Sequence, residues 1–154
     1  MTIAYLDTSA LLKQYVTEAG SDWTRRCLGH PDLEAIFLSA LTAVEAACAF
    51  ARRLREGTLT PFHHSRIVTA FDFDLQHRYH LMDVTPDTIS SARLLARQHP
   101  LRAYDAAQLS TALLLNRDLL SYGRETLTFI CADARLLEIA ETEGMRTENP
   151  NDHP

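Results

Sequence analysis

Two aspartates follow short apolar segments that are typical of buried β-strands. Asp7 comes directly after residues 3–6, Ile-Ala-Tyr-Leu, and Asp133 directly after residues 128–132, Thr-Phe-Ile-Cys-Ala. Because ligands of an open parallel sheet bind beyond the carboxyl ends of its strands, we expect both carboxylates at one edge of the sheet. Each aspartate alone could instead cap the helix that follows it, a role that Asp fills often.

Two further acids stand in mainly apolar helical surroundings. Glu45 lies in a long predicted helix that begins after Ser39 and ends at Glu56-Gly57, on the margin of an apolar stripe. That stripe is predicted to consist of Leu41, Val44, Cys48 and Ala51. Asp105 lies in the first turn of another predicted helix and shares a face with Leu109 and Ala112, which should point inward. The alternatives are a glutamate that reaches water and an aspartate that the helix dipole favours.

If these four acids converge, they need a counter-charge. Two unit charges about 4 Å apart repel by roughly 4 kcal/mol at an effective dielectric constant near 20. A cluster of carboxylates supplies only oxygen ligands, which suit Mg²⁺ or Mn²⁺. The sequence therefore predicts a divalent metal held by Asp7, Glu45, Asp105 and Asp133.

Strand-like and helix-like segments alternate along the chain, which places these acids on one scaffold. We expect strands over residues 2–6, 35–38, 81–84 and 128–133, and a short last strand at 145–147. Thr60-Pro61 and Thr85-Pro86 each predict a helix start, with a capping residue followed by proline at the tolerated first position. The pattern indicates a single α/β domain with a parallel sheet of four to five strands, spanning residues 1–148. Residues 149–154 are predicted to be a flexible tail.

Composition narrows the classes of protein. The 154 residues are 46% hydrophobic and 23% charged, as in an ordinary globular domain, and no apolar run approaches the length of a membrane span. We see no secretory signal, so we expect a cytoplasmic protein with reduced, buried cysteines. The net charge of −5 argues against a basic nucleic-acid coat protein but not against a nucleic-acid enzyme.

The basic residues are unevenly distributed. Lys13 is the only lysine, and arginine supplies the other fourteen of the 15 basic residues. Arginine suits phosphate because its planar fork donates two parallel hydrogen bonds. We therefore consider a set of candidate contacts to a nucleic-acid backbone, with solvent-exposed helix faces as the alternative: Lys13, Arg52, Arg53 and Arg55.

The order of four motifs resembles a known family. YLDTSALLKQY, SALTAVEAACAFARRL, LRAYDAAQLSTAL and CADARLLEIA are similar to the motifs of PIN-domain ribonucleases, and among these to the VapC-type toxins of bacterial toxin–antitoxin pairs. The resemblance extends over about residues 3–148. The four acidic metal-binding residues of the family match Asp7, Glu45, Asp105 and Asp133.

The resemblance implies a function. It implies metal-dependent RNA cleavage that leaves a 3′-hydroxyl and a 5′-phosphate, a homodimer, and inhibition by a VapB-like antitoxin. Thr8 or Ser9 matches the hydroxyl that orients the family's carboxylates. Arg135 stands where some PIN domains carry another aspartate, so a second metal site would lack that ligand. The alternative is a catalytically silent PIN-like domain that binds RNA or protein.

Two other enzyme and signalling classes also begin with a strand-end aspartate. A haloacid-dehalogenase-like phosphatase needs a second acid two residues later, where this chain has Ser9. A receiver domain needs a lysine late in the chain after a strand, and the only lysine here is Lys13. Neither class therefore fits the sequence.

Overall fold

A computed structural model describes residues 2–153 of the chain. In this range the strands are β1 (Ile3–Leu6), β2 (Ala35–Ser39), β3 (His80–Met82), β4 (Thr128–Ile130) and β5 (Arg146–Glu148). The helices are α1 (Thr8–Tyr15), α2 (Ser21–Leu28), α3 (Ala40–Arg55), α4 (Pro61–His77), α5 (Pro86–Gln98), α6 (Ala103–Ser121) and α7 (Ala134–Thr142). None of these helices has the length and apolar composition needed to cross a membrane.

The five strands form one parallel sheet in the order β3-β2-β1-β4-β5. β1 lies at the centre, where Tyr5 pairs with both Phe37 of β2 and Phe129 of β4. Neighbouring parallel strands need long crossover connections, and here the helices supply them. The predicted α/β architecture with a parallel sheet of four to five strands is therefore confirmed.

Side-chain alternation along β1 divides the core between the two faces of the sheet. Ile3 and Tyr5 join a cluster formed with residues of α5, α6 and α7. Ala4 and Leu6 point to the other face and join a cluster formed with residues of α1, α2, α3 and α4. Because successive strand residues face opposite sides, a continuously apolar strand is the expected pattern for a sheet covered by helices on both faces.

The predicted helix starts before α3, α4 and α5 are confirmed. The Ser39 side chain accepts a hydrogen bond from the Leu41 amide, and the side chains of Thr60 and Thr85 likewise cap α4 and α5. These side chains accept hydrogen bonds from amides in the first turn, which have no partner within the helix. Proline occupies the first turn of both α4 and α5, where no backbone N–H is needed.

The buried face of α3 differs from the predicted stripe. The residues of α3 that are buried are Thr42, Ala46, Ala49 and Phe50. Val44 is 56% exposed and Cys48 is also exposed, so the prediction of a buried stripe was wrong for these two positions. The error arises because α3 is apolar or small around much of its circumference, and hydrophobic periodicity then does not single out one face.

β4 is shorter than predicted and ends at Ile130. Asp133 therefore does not end a strand but lies in the connection to α7. In that connection, side chains satisfy the backbone: the Ala132 amide donates to Ser9 Oγ at 2.9 Å and the Asp133 amide donates to Cys131 Sγ at 3.2 Å. These side-chain acceptors replace the hydrogen bonds that a longer strand pairing would have made.

The segment after β5 folds back on the domain, whereas the sequence predicted a flexible tail. Pro150–Asp152 form a 3₁₀ helix in which Pro150 is buried. The His153 ring stacks on Trp23 of α2, with 4.6 Å between ring centroids, and Asn151 donates to the Ala132 carbonyl at 3.3 Å. Residues 149–153 are thus placed by contacts with α2 and with the β4–α7 connection, while Pro154 lies outside the described residues.

Candidate active site

The four predicted acids line one open cleft at the carboxyl edge of the sheet. The cleft has a volume of about 600 Å³. Asp7 enters it from the end of β1, Glu45 from α3, Asp105 from the first turn of α6, and Asp133 from the residue before α7. Four segments that are far apart in sequence therefore bring carboxylates to one place.

Asp7 is nearly buried, with 7% of its surface exposed. Its Oδ2 accepts hydrogen bonds from the Ser9 amide at 3.0 Å and from Ser9 Oγ at 2.6 Å, so it caps α1. The Cys131 thiol also donates to Oδ2 at 3.5 Å. All three bonds go to one oxygen, and capping α1 therefore leaves Oδ1 available to a ligand in the cleft.

Glu45 is held in a similar way by one of its two oxygens. Its Oε2 accepts hydrogen bonds from Thr8 Oγ1 at 2.6 Å and from Gln108 Nε2 at 2.8 Å. Thr8 and Ser9 thus each orient a different carboxylate, Glu45 and Asp7. Because both donors bind Oε2, the Oε1 atom of Glu45 remains for the cleft.

Asp105 has the least protein support of the four. It is half-buried, and within residues 2–153 its carboxylate accepts no hydrogen bond from the chain. Burial raises its pKa, the negative charges of Asp7 and Asp133 raise it further, and the nearby Arg102 opposes them. A carboxylate that is partly desolvated beside like charges is one that a bound cation would stabilise.

Asp133 is exposed and caps α7. Its Oδ1 accepts from the amides of Arg135 at 2.9 Å and Leu136 at 3.4 Å. Asp133, like Asp7, both caps a helix and lines the cleft, so the two alternatives considered from the sequence are compatible. Capping again uses one oxygen and leaves Oδ2 without a capping bond.

The donor chemistry of the cleft fits a hard divalent cation. The acids that line it offer only carboxylate oxygens. Asp105 accepts no hydrogen bond from the described residues, and the three other acids each keep one oxygen outside their hydrogen bonds. Within the described residues, however, no three acidic, histidine or cysteine side chains are close enough together to surround an ion. The acids thus share the cleft without forming a closed set of ligands.

The four basic residues considered from the sequence lie in two environments. Arg52 and Arg55 line the cleft. Lys13 is 4% exposed, and its Nζ donates to the Ala19 carbonyl at 2.7 Å and to Glu18 at 3.1 Å. Arg53 donates to the other oxygen of Glu18 at 2.7 Å. Burial raises the pKa of Glu18, but the hydrogen bonds from Arg53 and Lys13 outweigh this effect and lower the pKa below its usual value. Lys13 and Arg53 therefore take part in a structural ion pair.

Three residues of the site were not singled out from the sequence. Arg102 and the half-exposed Tyr104 line the cleft beside Asp105, and Gln108 bonds to Glu45 from behind. The signal for Gln108 was available, because residues three apart on a helix share a face and Asp105 lies three positions earlier. Arg102 precedes α6 in a connection, where helical periodicity carries no information.

The fold is similar to that of several solved structures, among them the following two. PAE2754 from Pyrobaculum aerophilum shares 18% sequence identity with a TM-score of 0.57, and the alignment covers 95% of this chain and 83% of that one. FitAcB from Neisseria gonorrhoeae shares 16% identity with a TM-score of 0.67, covering 99% and 100% of the two chains. At these identities the likeness concerns the fold alone.

Sequence comparison identifies the family. No curated protein matches the chain at a significant level. The PIN domain family matches residues 4–129, a range that includes Asp7, Glu45 and Asp105 and stops before Asp133. This match extends over most of the chain and includes three of the four cleft acids. The chain therefore belongs to the PIN-domain family.

Proposed function

We propose that this protein is a metal-dependent endoribonuclease that hydrolyses RNA phosphodiester bonds. The observation that carries the proposal is the convergence of Asp7, Glu45, Asp105 and Asp133 from four segments into one cleft. Membership of the PIN-domain family supports nuclease chemistry, and the resemblance of the motifs to VapC-type toxins supports RNA as the substrate.

The acids would act as ligands of Mg²⁺ or Mn²⁺. When bound, such an ion lowers the pKa of a coordinated water and offsets the charge that develops on the phosphate. Asp7 and Glu45 are held by the hydroxyls of Ser9 and Thr8, so each presents an oxygen in a defined direction. Asp105 accepts no hydrogen bond from the described residues, so both of its oxygens would be free to hold the ion.

Arginines at the same cleft suit the phosphate backbone of the substrate. Arg52 and Arg55 project from the last turns of α3, and Arg102 lies beside Asp105 at the start of α6. A guanidinium donates two parallel hydrogen bonds to a phosphate, which fixes both its position and its orientation. The cleft thus combines acids that could hold the metal ion with arginines that could hold the phosphate of the substrate.

Removal of the divalent ion is expected to stop cleavage. Purified protein should cut a structured RNA in the presence of Mg²⁺ or Mn²⁺, lose that activity in EDTA, and recover it when excess Mn²⁺ is added. Gel analysis of the RNA fragments measures the result. As a control, Asp118→Asn should keep full activity, because this exposed acid lies near the end of α6 and does not line the cleft.

Two results would contradict the proposal in different ways. Cleavage that persists in EDTA would refute the metal-dependent mechanism. RNA binding without any cleavage in Mg²⁺ or Mn²⁺ would instead favour the alternative, a catalytically silent PIN-like domain that acts as a binding module.

Neutralising the cleft arginines should weaken RNA binding and flatten its salt dependence. The double variant Arg52→Gln/Arg55→Gln removes two phosphate contacts, and each contact contributes about 0.7 to the slope of log K against log salt for a single strand. The slope should therefore fall by about 1.4 in gel-shift assays with EDTA present. The double variant Arg93→Gln/Arg97→Gln makes the same charge change on the exposed side of α5 and should leave the slope almost unchanged. An unaltered slope in the double variant would assign Arg52 and Arg55 to solvent-exposed helix faces.

The same resemblance supports a biological role. We propose that the chain is the toxin of a VapBC-type pair, acts in the cytoplasm as a homodimer, and is inhibited by a VapB-like antitoxin. An acidic cleft is a suitable receptor for an arginine side chain of such a partner. Co-expression with any small protein encoded directly upstream should yield a complex without ribonuclease activity, and full activity of that complex would contradict this role.

A further inference from the structure

The buried side-chain amide of Gln108 lies directly behind the acids of the cleft. α6 places it three residues after Asp105, and its side chain has no exposed surface. A buried amide must form its hydrogen bonds within the protein, since water does not reach it. The residues that bind Gln108 therefore determine how it is oriented.

The amide of Gln108 can adopt only one of its two orientations. Its Nε2 donates to Glu45 Oε2 at 2.8 Å and to Thr42 Oγ1 at 2.9 Å, while the Tyr5 hydroxyl donates to its Oε1 at 2.6 Å. A carboxylate only accepts hydrogen bonds. Turning the amide over would place its oxygen against the Glu45 carboxylate, where neither group has a hydrogen to donate.

These hydrogen bonds restrict the conformation of the Glu45 side chain on the side that faces away from the cleft. Glu45 Oε2 receives one bond from Gln108 and one from Thr8, and Thr8 Oγ1 also lies 3.3 Å from Gln108 Nε2. The network joins β1, α1, α3 and α6 behind the cleft. Because both donors hold Oε2, the side chain of Glu45 is kept in one conformation with Oε1 left for a ligand.

We propose that Gln108 is a positioning residue for the metal site, oriented by Tyr5 and acting through Glu45. The inference rests on the proposed function, in which Glu45 is a metal ligand. Without the amide, Glu45 loses one of its two donors and gains conformational freedom, so the ion must restrict that freedom when it binds. Groups that orient metal ligands in this way typically change metal affinity by about 10- to 100-fold when they are removed.

Calorimetric titration of the metal-free protein with Mn²⁺ tests the inference. Gln108→Met keeps the length of the side chain but removes its hydrogen bonds, and it should raise the Kd for Mn²⁺ by about 10- to 100-fold. Tyr5→Phe removes the hydroxyl that donates to the amide oxygen of Gln108 and should raise the Kd by about 3- to 10-fold. The Mn²⁺ concentration for half-maximal RNA cleavage should rise in parallel, with cleavage restored at high Mn²⁺.

The matched control is Asn116→Leu. Asn116 is also a buried amide on α6, but it binds the Leu127 backbone amide at 2.9 Å, away from Glu45. Asn116→Leu should lower the melting temperature and leave the Kd for Mn²⁺ unchanged. Wild-type affinity in Gln108→Met, or an equal loss in Asn116→Leu, would overturn the inference while leaving the proposed function intact. A wild-type protein that binds no Mn²⁺ would overturn both, and if Gln108→Met does not fold, the Kd of Tyr5→Phe decides.

Discussion

Replacing Asp7 with asparagine is expected to abolish RNA cleavage and, in the absence of metal, to stabilise the protein. Asparagine caps helices about as well as aspartate, so the hydrogen bond from the Ser9 amide should be retained. Burial raises the pKa of Asp105 most and the negative charge of Asp7 raises it further, and the substitution removes that second contribution. The stability of the metal-free protein should rise by about 1 kcal/mol, a typical size for such trade-offs between stability and function.

Metal should stabilise the wild type more than the Asp7→Asn variant. Mg²⁺ at 100 times its Kd would stabilise the wild type by about 2.7 kcal/mol through linkage, and this gain should shrink in Asp7→Asn. Cleavage should fall by at least about 100-fold, more than is usual for groups that only orient a ligand. Thermal melts of both proteins in EDTA and in Mg²⁺, together with RNA cleavage assays, measure these effects.

Asp87→Asn provides a control with the opposite expected sign. Asp87 is exposed in the first turn of α5, away from the cleft, so its charge interacts favourably with the helix dipole. Its replacement should lower stability by about 0.3–1 kcal/mol and leave the response to Mg²⁺ unchanged. Equal melting of Asp7→Asn and the wild type in both buffers would mean that Asp7 serves only as a cap.

Gly20→Ala is expected to destabilise the protein strongly, although it adds only one carbon atom outside the cleft. Gly20 has φ +79°, and a Cβ at this position would lie 2.3 Å from the Pro150 carbonyl oxygen and 2.6 Å from its carbon. The left-handed conformation alone costs a residue with a side chain about 1–2 kcal/mol. Displacing backbone atoms adds about 1–3 kcal/mol. Urea denaturation should therefore show a loss of about 2–5 kcal/mol.

Gly57→Ala separates these two contributions. Gly57 has φ +75° and no atom within 4 Å of an added Cβ, so its replacement should show the conformational cost alone. In a chain that ends at Asn149, Gly20→Ala should lose no more stability than Gly57→Ala, because Pro150 is then absent. If the two substitutions cost the same in the full chain, the segment after β5 does not pack on α2, and the flexible tail predicted from the sequence would be supported.

Much of the scaffold could be predicted because it depends on local physics. The caps at Thr60 and Thr85, each followed by proline, define where helices begin through hydrogen bonds and dihedral angles within a few residues. The alternation of apolar strands with helices restricts the sheet to a parallel one, since adjacent parallel strands need crossovers. Because Asp7 directly follows β1, its carboxylate could be predicted to lie at the carboxyl edge of the sheet, where ligands bind.

The candidate site was predictable in its acids and less so in its basic residues. All four acids line one cleft, as their positions relative to strands and helix faces indicated. Of the basic residues, Arg52 and Arg55 do so as well, but Lys13 and Arg53 bind Glu18. Clustering of charge in sequence does not reveal whether an opposite charge lies nearby in space, and Glu18 belongs to a connection whose path no periodic pattern describes.

By itself, the sequence determined the order of the helices and strands, the fold family and which four acids lie in the cleft. Only the tertiary structure decided which face of α3 is buried, how Gln108 holds Glu45, and that Pro150 packs against Gly20. The first group follows from backbone hydrogen bonding and hydrophobic periodicity over a few turns. The second depends on contacts between residues that are far apart in the sequence, such as Glu45 and Gln108. These contacts form because α3 and α6 both pack against the sheet, and neither helix alone determines them.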